Sequence, residues 1–359
     1  MAPAPAPPVP EPVDWATARK VARIVAGRDP LADSYLGSSL DTDFAFLTPH
    51  AEDLVADFTG LRPPGRAHAS VLDRRGWVDA NVASMQHLLK PLMERMAPRV
   101  ARSPIAPVGR QIAGTEVGAL VGYLAQRVLG QYDMLVPDDQ SGDAVYYVGP
   151  NILALEKRFA FRPQDFRLWI AIHEVTHRAQ FTGVRWLREY FFGLVQQAFQ
   201  VVDPDPRSFV GALARAVDEV RAGRNPLDDG GMVGLFATPE QRTVLQQVQA
   251  LMSLVEGHGN FVMDELGREH VAGAERMQRV LHARREVRGV AGQVHKLLGI
   301  EQKLKQYDIG ERFVRGVVDE AGLAAVDNAW RSPAHLPTHA ELDDAPSWLR
   351  RVETIDVAG

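Results

Sequence analysis

The chain of 359 residues contains no cysteine, which excludes disulfides, thiolate metal ligands and a cysteine nucleophile. It also lacks a basic excess, because 40 lysines and arginines face 45 acidic residues and give a formal net charge of −5. Proteins that bind nucleic acids usually carry a basic patch or stripe, so we expect no nucleic-acid partner. Long apolar runs are missing as well. The best approach to one, residues 117–129, is shorter than the ~18 residues of a membrane span and contains Arg127, so we expect no stable membrane insertion.

Residues 1–13 are rich in proline and alanine, and this composition predicts a disordered tail. The segment has neither a basic stretch nor an apolar stretch of the kind found in signal peptides, so we expect a cytoplasmic protein. Hydrophobic residues make up 46% of the chain, which is enough for a sizeable core. We therefore predict one large domain over 14–350, followed by a tail over 351–359. Two closely packed lobes, about 14–200 and 201–350, are the alternative.

Helical periodicity dominates the chain, so we predict a mainly α fold with a few short strands. Asp14 is expected to cap the first helix and Gly27 to end it. Three glycines spaced by four residues, Gly114, Gly118 and Gly122, predict a helix that packs closely against another. The predicted helices cover 14–26, 51–58, 73–96, 112–129, 151–158, 163–200, 239–266, 275–296 and 301–322. Short strands are predicted at 134–137 and 143–150, and an irregular region over 333–359.

The pentad His173-Glu174-Val175-Thr176-His177 is the strongest functional signal in the chain. Residues four apart in a helix lie on one face, so the two imidazoles can hold one zinc ion. Glu174 would then lie where it can accept a proton from a zinc-bound water. The residues before His173 are largely apolar and aromatic, which predicts a buried helix. Buried imidazoles and a buried carboxylate are costly unless a metal satisfies them.

A catalytic zinc usually has a third protein ligand. A histidine six residues after His177 is ruled out, because that position is Gly183. The best candidate is Glu256, and His258 is the alternative. The two lie about 200° apart around a helix, so both can scarcely bind one metal.

Glycines at 257 and 259 interrupt this helix and predict that another element approaches it closely. Asp264, two turns beyond Glu256, could orient a ligand imidazole or be a plain charge on the helix face.

Eleven segments resemble the zincin-like metallopeptidases, whose members are also labelled as hydrolases or as proteins associated with deazaflavin coenzyme biosynthesis. These segments span residues 57 to 310. They are DFTGL (57–61), VLGQYD (128–133), YVGPN (147–151), FRLW (166–169), HEVTHR (173–178), QF (180–181), WLR (186–188), EGH (256–258), VMD (262–264), KQY (305–307) and Gly310. The resemblance implies a mainly helical zincin-like architecture in which the HExxH helix packs against the helix that carries the third ligand. It implies that His173, His177 and Glu256 hold the metal, in a gluzincin-like set.

The leading hypothesis is a zinc-dependent hydrolase of peptide or amide bonds, with a peptide or protein as substrate. Glu174 is the expected general base, and Tyr307 or His258 could stabilise the oxyanion. The strand near 146–148 could pair with an extended peptide. The alternatives are an interaction or scaffold protein with a structural or vestigial metal site, and a metal-dependent amidase that acts on a small metabolite.

Overall fold

The computed structural model describes residues 11–31, 34–101, 104, 106–134, 143–200, 239–285 and 300–358. The described residues are mostly helical with three short strands, which confirms the mainly α fold class. They form two compact units, one made of 1–50 and 66–174 and the other of 51–65 and 175–359. None of the helices in the described part of the chain is both long enough and apolar enough to span a bilayer.

The helices and strands are numbered in chain order. The helices are α1 (Trp15–Ala26), α2 (Leu40–Thr59), α3 (Arg74–Ala101), α4 (Ala106–Ala125), α5 (Gly149–Phe159), α6 (Pro163–Arg178), α7 (Leu187–Gln200), α8 (Pro239–His270), α9 (Ala274–Arg285), α10 (Ile300–Ala321) and α11 (Ala345–Ala358). The strands are β1 (His68–Leu72), β2 (Gly130–Tyr132) and β3 (Ala144–Val148). Short 3-10 helices lie at Tyr35–Gly37, Leu323–Trp330, Pro333–His335 and Glu341–Asp343, and a π-helical turn at Ala179–Gly183.

In the first unit, α1 and α4 pack closely along the glycine stripe. The carboxylate of Asp14 caps α1 by accepting a hydrogen bond from the backbone N–H of Thr17 at 3.0 Å, and Gly27 ends the helix with φ of +72°. A Cβ atom added to any glycine of the stripe would lie within 2.5 Å of a backbone carbonyl oxygen of α1 or of its cap Asp14. Only glycine allows this approach, which confirms the predicted close packing of the two helices. The predicted cap at Asp14 and stop at Gly27 are confirmed as well. The stripe consists of Gly114, Gly118 and Gly122.

The three strands form one sheet in the order β1–β3–β2, with β3 parallel to β1 and antiparallel to β2. The strand predicted over 143–150 is confirmed at Ala144–Val148. Of the strand predicted over 134–137, only Met134 is described, and it lies in a turn. Neither β1 nor β2 was predicted, because runs of five and three residues are too short to carry a clear periodicity.

The central position of β3 corrects one functional expectation. We expected the strand near 146–148 to pair with a substrate peptide. Both of its edges are already occupied, by β1 and by β2. The outer edge of β2, by contrast, pairs with no strand among the described residues.

In the second unit, α8 packs against α10 at two facing glycines. A Cβ atom on Gly257 would lie 2.5 Å from the backbone N of Glu311 and from the carbonyl oxygen of Gly310. The close approach that the glycines of α8 predicted is therefore confirmed at Gly257.

The predicted secondary structure was wrong in two regions. The helix predicted over 163–200 is interrupted by the π-helical turn and by residues 184–186, so α7 starts only at Leu187. The region over 333–359 is not irregular but folds into short 3-10 helices and α11. Pro333 and Pro346 lie in first turns, where the missing N–H costs little. The indole of Trp348 is fully buried and donates to the carbonyl of His335 at 2.8 Å.

Candidate metal centre

The helix that carries the pentad is buried, as the sequence predicted. Pro163 opens α6 and Asp165 lies in its first turn, both favourable at a helix N-terminus. Inside the first unit, the guanidinium of Arg167 donates to both carboxylate oxygens of Glu156, at 2.8 and 3.0 Å, and to Asp43. The buried apolar residues of α6 are Phe166, Leu168, Trp169, Ile170, Ala171, Ile172 and Val175.

The C-terminal end of α6 is held by a second buried arginine, inside the second unit. Arg178 donates to the carboxylate of Glu52 at 2.6 Å, and only 1% and 8% of these side chains are exposed. It also donates to the backbone carbonyls of Pro64 and Gly65. A guanidinium with several fixed acceptors leaves the last turn of α6 little freedom to rotate. That last turn carries His177.

The structure brings the three predicted metal ligands together. His173 and His177 lie one helical turn apart on α6. His177 Nε2 lies 3.6 Å from Glu256 Oε2 on α8. One nitrogen or oxygen from each of His173, His177 and Glu256 lies within 4.8 Å of the others.

Glu174, the predicted general base, lies against the sheet of the first unit. Only 7% of the surface of Glu174 is exposed to solvent. A Cβ atom added to Gly130, the first residue of β2, would lie 2.5 Å from Glu174 Cγ and 2.7 Å from Glu174 Oε1. The absence of a side chain at position 130 therefore makes room for the Glu174 carboxylate. From the sequence, residue 130 was expected only to follow the helix predicted over 112–129, so this role was missed.

His258, the alternative third ligand, is not part of the group formed by the three donors. Its imidazole packs edge-on against Trp330, with ring centroids 5.2 Å apart, and its Nδ1 lies 2.9 Å from the side-chain nitrogen of Gln180. Burial, and secondarily the neighbouring His177, lowers the pKa of His258 to about 3. The ring is therefore neutral at physiological pH.

Gln180 is a further polar residue of the site that the sequence did not single out for a role. It is fully buried, and its side-chain oxygen lies 2.9 Å from His177 Nδ1. Its side-chain nitrogen donates to the carbonyl of Val255 at 2.9 Å. The sequence does contain one indication of this role. Gln180 follows His177 by three residues, which places both side chains on one helix face.

Tyr307 belongs to α10, and its side chain lies outside the described residues. Asp264 was considered as a partner for a ligand imidazole, but it binds Gln278 and accepts a hydrogen bond from Arg315 at 3.0 Å. Burial, and then the neighbouring Glu311, raises the pKa of Asp264 to about 7. Asp264 is thus part of an ion cluster between α8 and α10.

Two histidines one helical turn apart, a glutamate from a second helix and a buried glutamate beside the first histidine define the site type of helix-borne metallohydrolases. The comparison with family models agrees. The chain belongs to the zincin-like metallopeptidase family, whose model matches residues 13–349.

A solved structure extends this result to the whole fold. The chain is 31% identical to a protein from Chloroflexus aurantiacus described as "a putative hydrolase with a novel fold". The match has a TM-score of 0.71 and covers 95% of this chain and 99% of the other. No curated protein matches the chain. Family and structural neighbour together support a hydrolase.

Proposed function

We propose that the protein is a zinc-dependent metallopeptidase whose metal is held by His173, His177 and Glu256. The observation that carries the proposal is the convergence of these three donors next to a buried glutamate. Two imidazoles and one carboxylate are a donor set of catalytic zinc sites, which keep a further position open for water. Donor atoms that share one zinc at about 2.0–2.2 Å lie about 3–4 Å apart, and the 3.6 Å between His177 Nε2 and Glu256 Oε2 fits that geometry.

Zinc bound there would act as a Lewis acid that polarises a carbonyl group and lowers the pKa of water. The remaining chemistry belongs to the protein. Glu174 accepts the proton of the attacking water on its carboxylate and delivers it to the nitrogen of the departing amine. Its near-complete burial limits competing contacts with solvent. The imidazoles of His173 and His177 must stay neutral, because a protonated nitrogen has no lone pair for a metal.

The edge of β2 supports a peptide as substrate. Gly130, at the start of this strand, lies against Glu174, and β2 is an edge strand of the sheet that the described residues form. An extended peptide that pairs with such an edge would run past the general base.

The test compares Glu174→Gln with Glu189→Gln, an exposed glutamate on α7 that serves as the matched control. Turnover is measured on a library of quenched fluorescent peptides, and zinc content by elemental analysis. We expect wild type and Glu189→Gln to cleave peptides, and Glu174→Gln to keep its zinc but lose at least ~100-fold in kcat. Zinc-loaded wild type that cleaves no peptide would refute the peptidase assignment. Unchanged turnover in Glu174→Gln would refute the role of the general base.

A further inference from the structure

The carboxamide of Gln180 links one predicted metal ligand to the helix that supplies another. Its oxygen lies 2.9 Å from His177 Nδ1, and its nitrogen lies 2.9 Å from both the carbonyl oxygen of Val255 and the Nδ1 of His258. Val255 directly precedes Glu256 on α8. Every one of these contacts lies within the second unit.

The contact with Val255 fixes which way the carboxamide points. A backbone carbonyl can only accept a hydrogen bond, so the group that faces it must be the –NH2 of Gln180. The oxygen of Gln180 must then face His177. That oxygen can only accept, and His177 Nδ1 must therefore carry the proton. The –NH2 of Gln180 also faces His258 Nδ1, which must therefore accept a hydrogen bond. The proton of the neutral His258 ring then lies on Nε2.

The tautomer of His177 decides whether it can bind a metal through Nε2. A neutral imidazole has one protonated nitrogen and one lone pair. With the proton on Nδ1, the lone pair lies on Nε2, and Nε2 is the atom that lies 3.6 Å from Glu256. Outer hydrogen bonds of this kind fix the tautomer and the ring orientation of metal ligands.

We propose that Gln180 is a positioning residue that holds His177 in the Nδ1–H tautomer and aims its Nε2 at the metal. This role rests on the proposed metal site. It adds a requirement that the site motif does not contain, namely a carboxamide anchored on the backbone of the helix that carries Glu256. The π-helical turn Ala179–Gly183 is the segment that presents Gln180 to α8.

The first test measures the tautomer itself, in metal-free protein. Histidines are labelled with 15N, the signals of His177 are assigned by their loss in His177→Gln, and long-range 1H–15N spectra report which ring nitrogen is protonated. Wild type should show His177 protonated on Nδ1. Gln180→Met keeps the size of the side chain but removes the acceptor, so the proton should shift towards Nε2. The matched control is Gln197→Met, at an exposed glutamine of α7, which should match wild type.

The second test measures zinc affinity by competition with a chromophoric chelator. Loss of an outer partner typically weakens metal binding by about 10–100-fold, so we expect that loss in Gln180→Met and none in Gln197→Met. If circular dichroism shows that Gln180→Met is unfolded, Gln180→Glu takes its place. A carboxylate still accepts from His177, and His177 should then remain protonated on Nδ1.

An unchanged His177 tautomer in folded Gln180→Met, or an Nε2 proton in wild type or in Gln180→Glu, would overturn the proposal. These readouts need neither bound metal nor turnover. A protein that fails to cleave peptides, or even to bind zinc, would therefore refute the proposed function while the tautomer result still decides the role of Gln180.

Discussion

Replacing Gly257 by alanine tests the contact that sets the distance between α8 and α10. The added Cβ would lie 2.5 Å from the backbone N of Glu311 and from the carbonyl oxygen of Gly310. The carbonyl carbon of Gly310 would lie closer still. An ordinary van der Waals contact is about 3.5 Å, so the two backbones must separate by more than about 1 Å. Both neighbours are backbone atoms, which cannot rotate away as a side chain can. Because Glu256 is the adjacent residue, this separation also displaces a predicted metal ligand.

The magnitude follows from two opposing effects. Alanine in a helix interior is favoured over glycine by about 1 kcal/mol. Overpacking a dense contact costs about 1–3 kcal/mol, occasionally more. Gly193→Ala on α7 separates these effects, because a Cβ there would meet nothing within 4 Å. The difference in unfolding free energy between the two variants isolates the steric cost, and we expect Gly257→Ala to be the less stable by about 1–3 kcal/mol.

Urea unfolding followed by circular dichroism measures this difference, and the chelator competition measures zinc affinity in the same samples. We expect Gly193→Ala to be slightly more stable than wild type with unchanged affinity, and Gly257→Ala to lose both stability and affinity. Equal gains in stability in the two variants would refute the close contact between α8 and α10.

Three further predictions follow from the described contacts. In Gly130→Ala the new Cβ displaces the carboxylate of Glu174, so kcat on a peptide substrate should fall by about 10–100-fold while elemental analysis still finds zinc. In Glu52→Gln the buried guanidinium of Arg178 loses its carboxylate, and urea unfolding should show a loss of about 3 kcal/mol. The pKa of Asp264 is raised in the folded state from 3.8 to about 7, so the folded state binds this proton more tightly than the unfolded state. Its contribution to stability therefore decreases as the pH rises through that window, and Asp264→Asn should lose less stability than wild type between pH 4 and pH 8, as measured by urea unfolding.

Local chemistry explains what the sequence could predict. The cap at Asp14 and the stop at Gly27 depend on neighbouring residues alone, so they were readable without a partner. The glycines of α4 and Gly257 predicted close packing, because glycine is otherwise unfavourable inside a helix. The HExxH pentad and Glu256 could be proposed as metal ligands from the sequence, because metal chemistry restricts the possible ligands to a few residue types.

Features that depend on distant partners were missed. β2 is a strand only because β3 lies beside it, and its three residues carry no pattern of their own. The role of Gly130 depends on Glu174, 44 positions later in the sequence. The role of Gln180 depends on the backbone carbonyl of Val255. Every residue has such a carbonyl, so no sequence motif can indicate this contact. The π-helical turn that interrupts the predicted long helix has no established local signature.

The central claim is that His173, His177 and Glu256 bind zinc, and metal content tests it most directly. Wild type, His173→Ala, Glu256→Ala and the control Glu269→Ala, an exposed residue of α8, are purified without chelators and measured by elemental analysis. We expect about one zinc per chain in wild type and in Glu269→Ala, and its loss in both His173→Ala and Glu256→Ala. Wild type without zinc, or Glu256→Ala with full zinc, would contradict it.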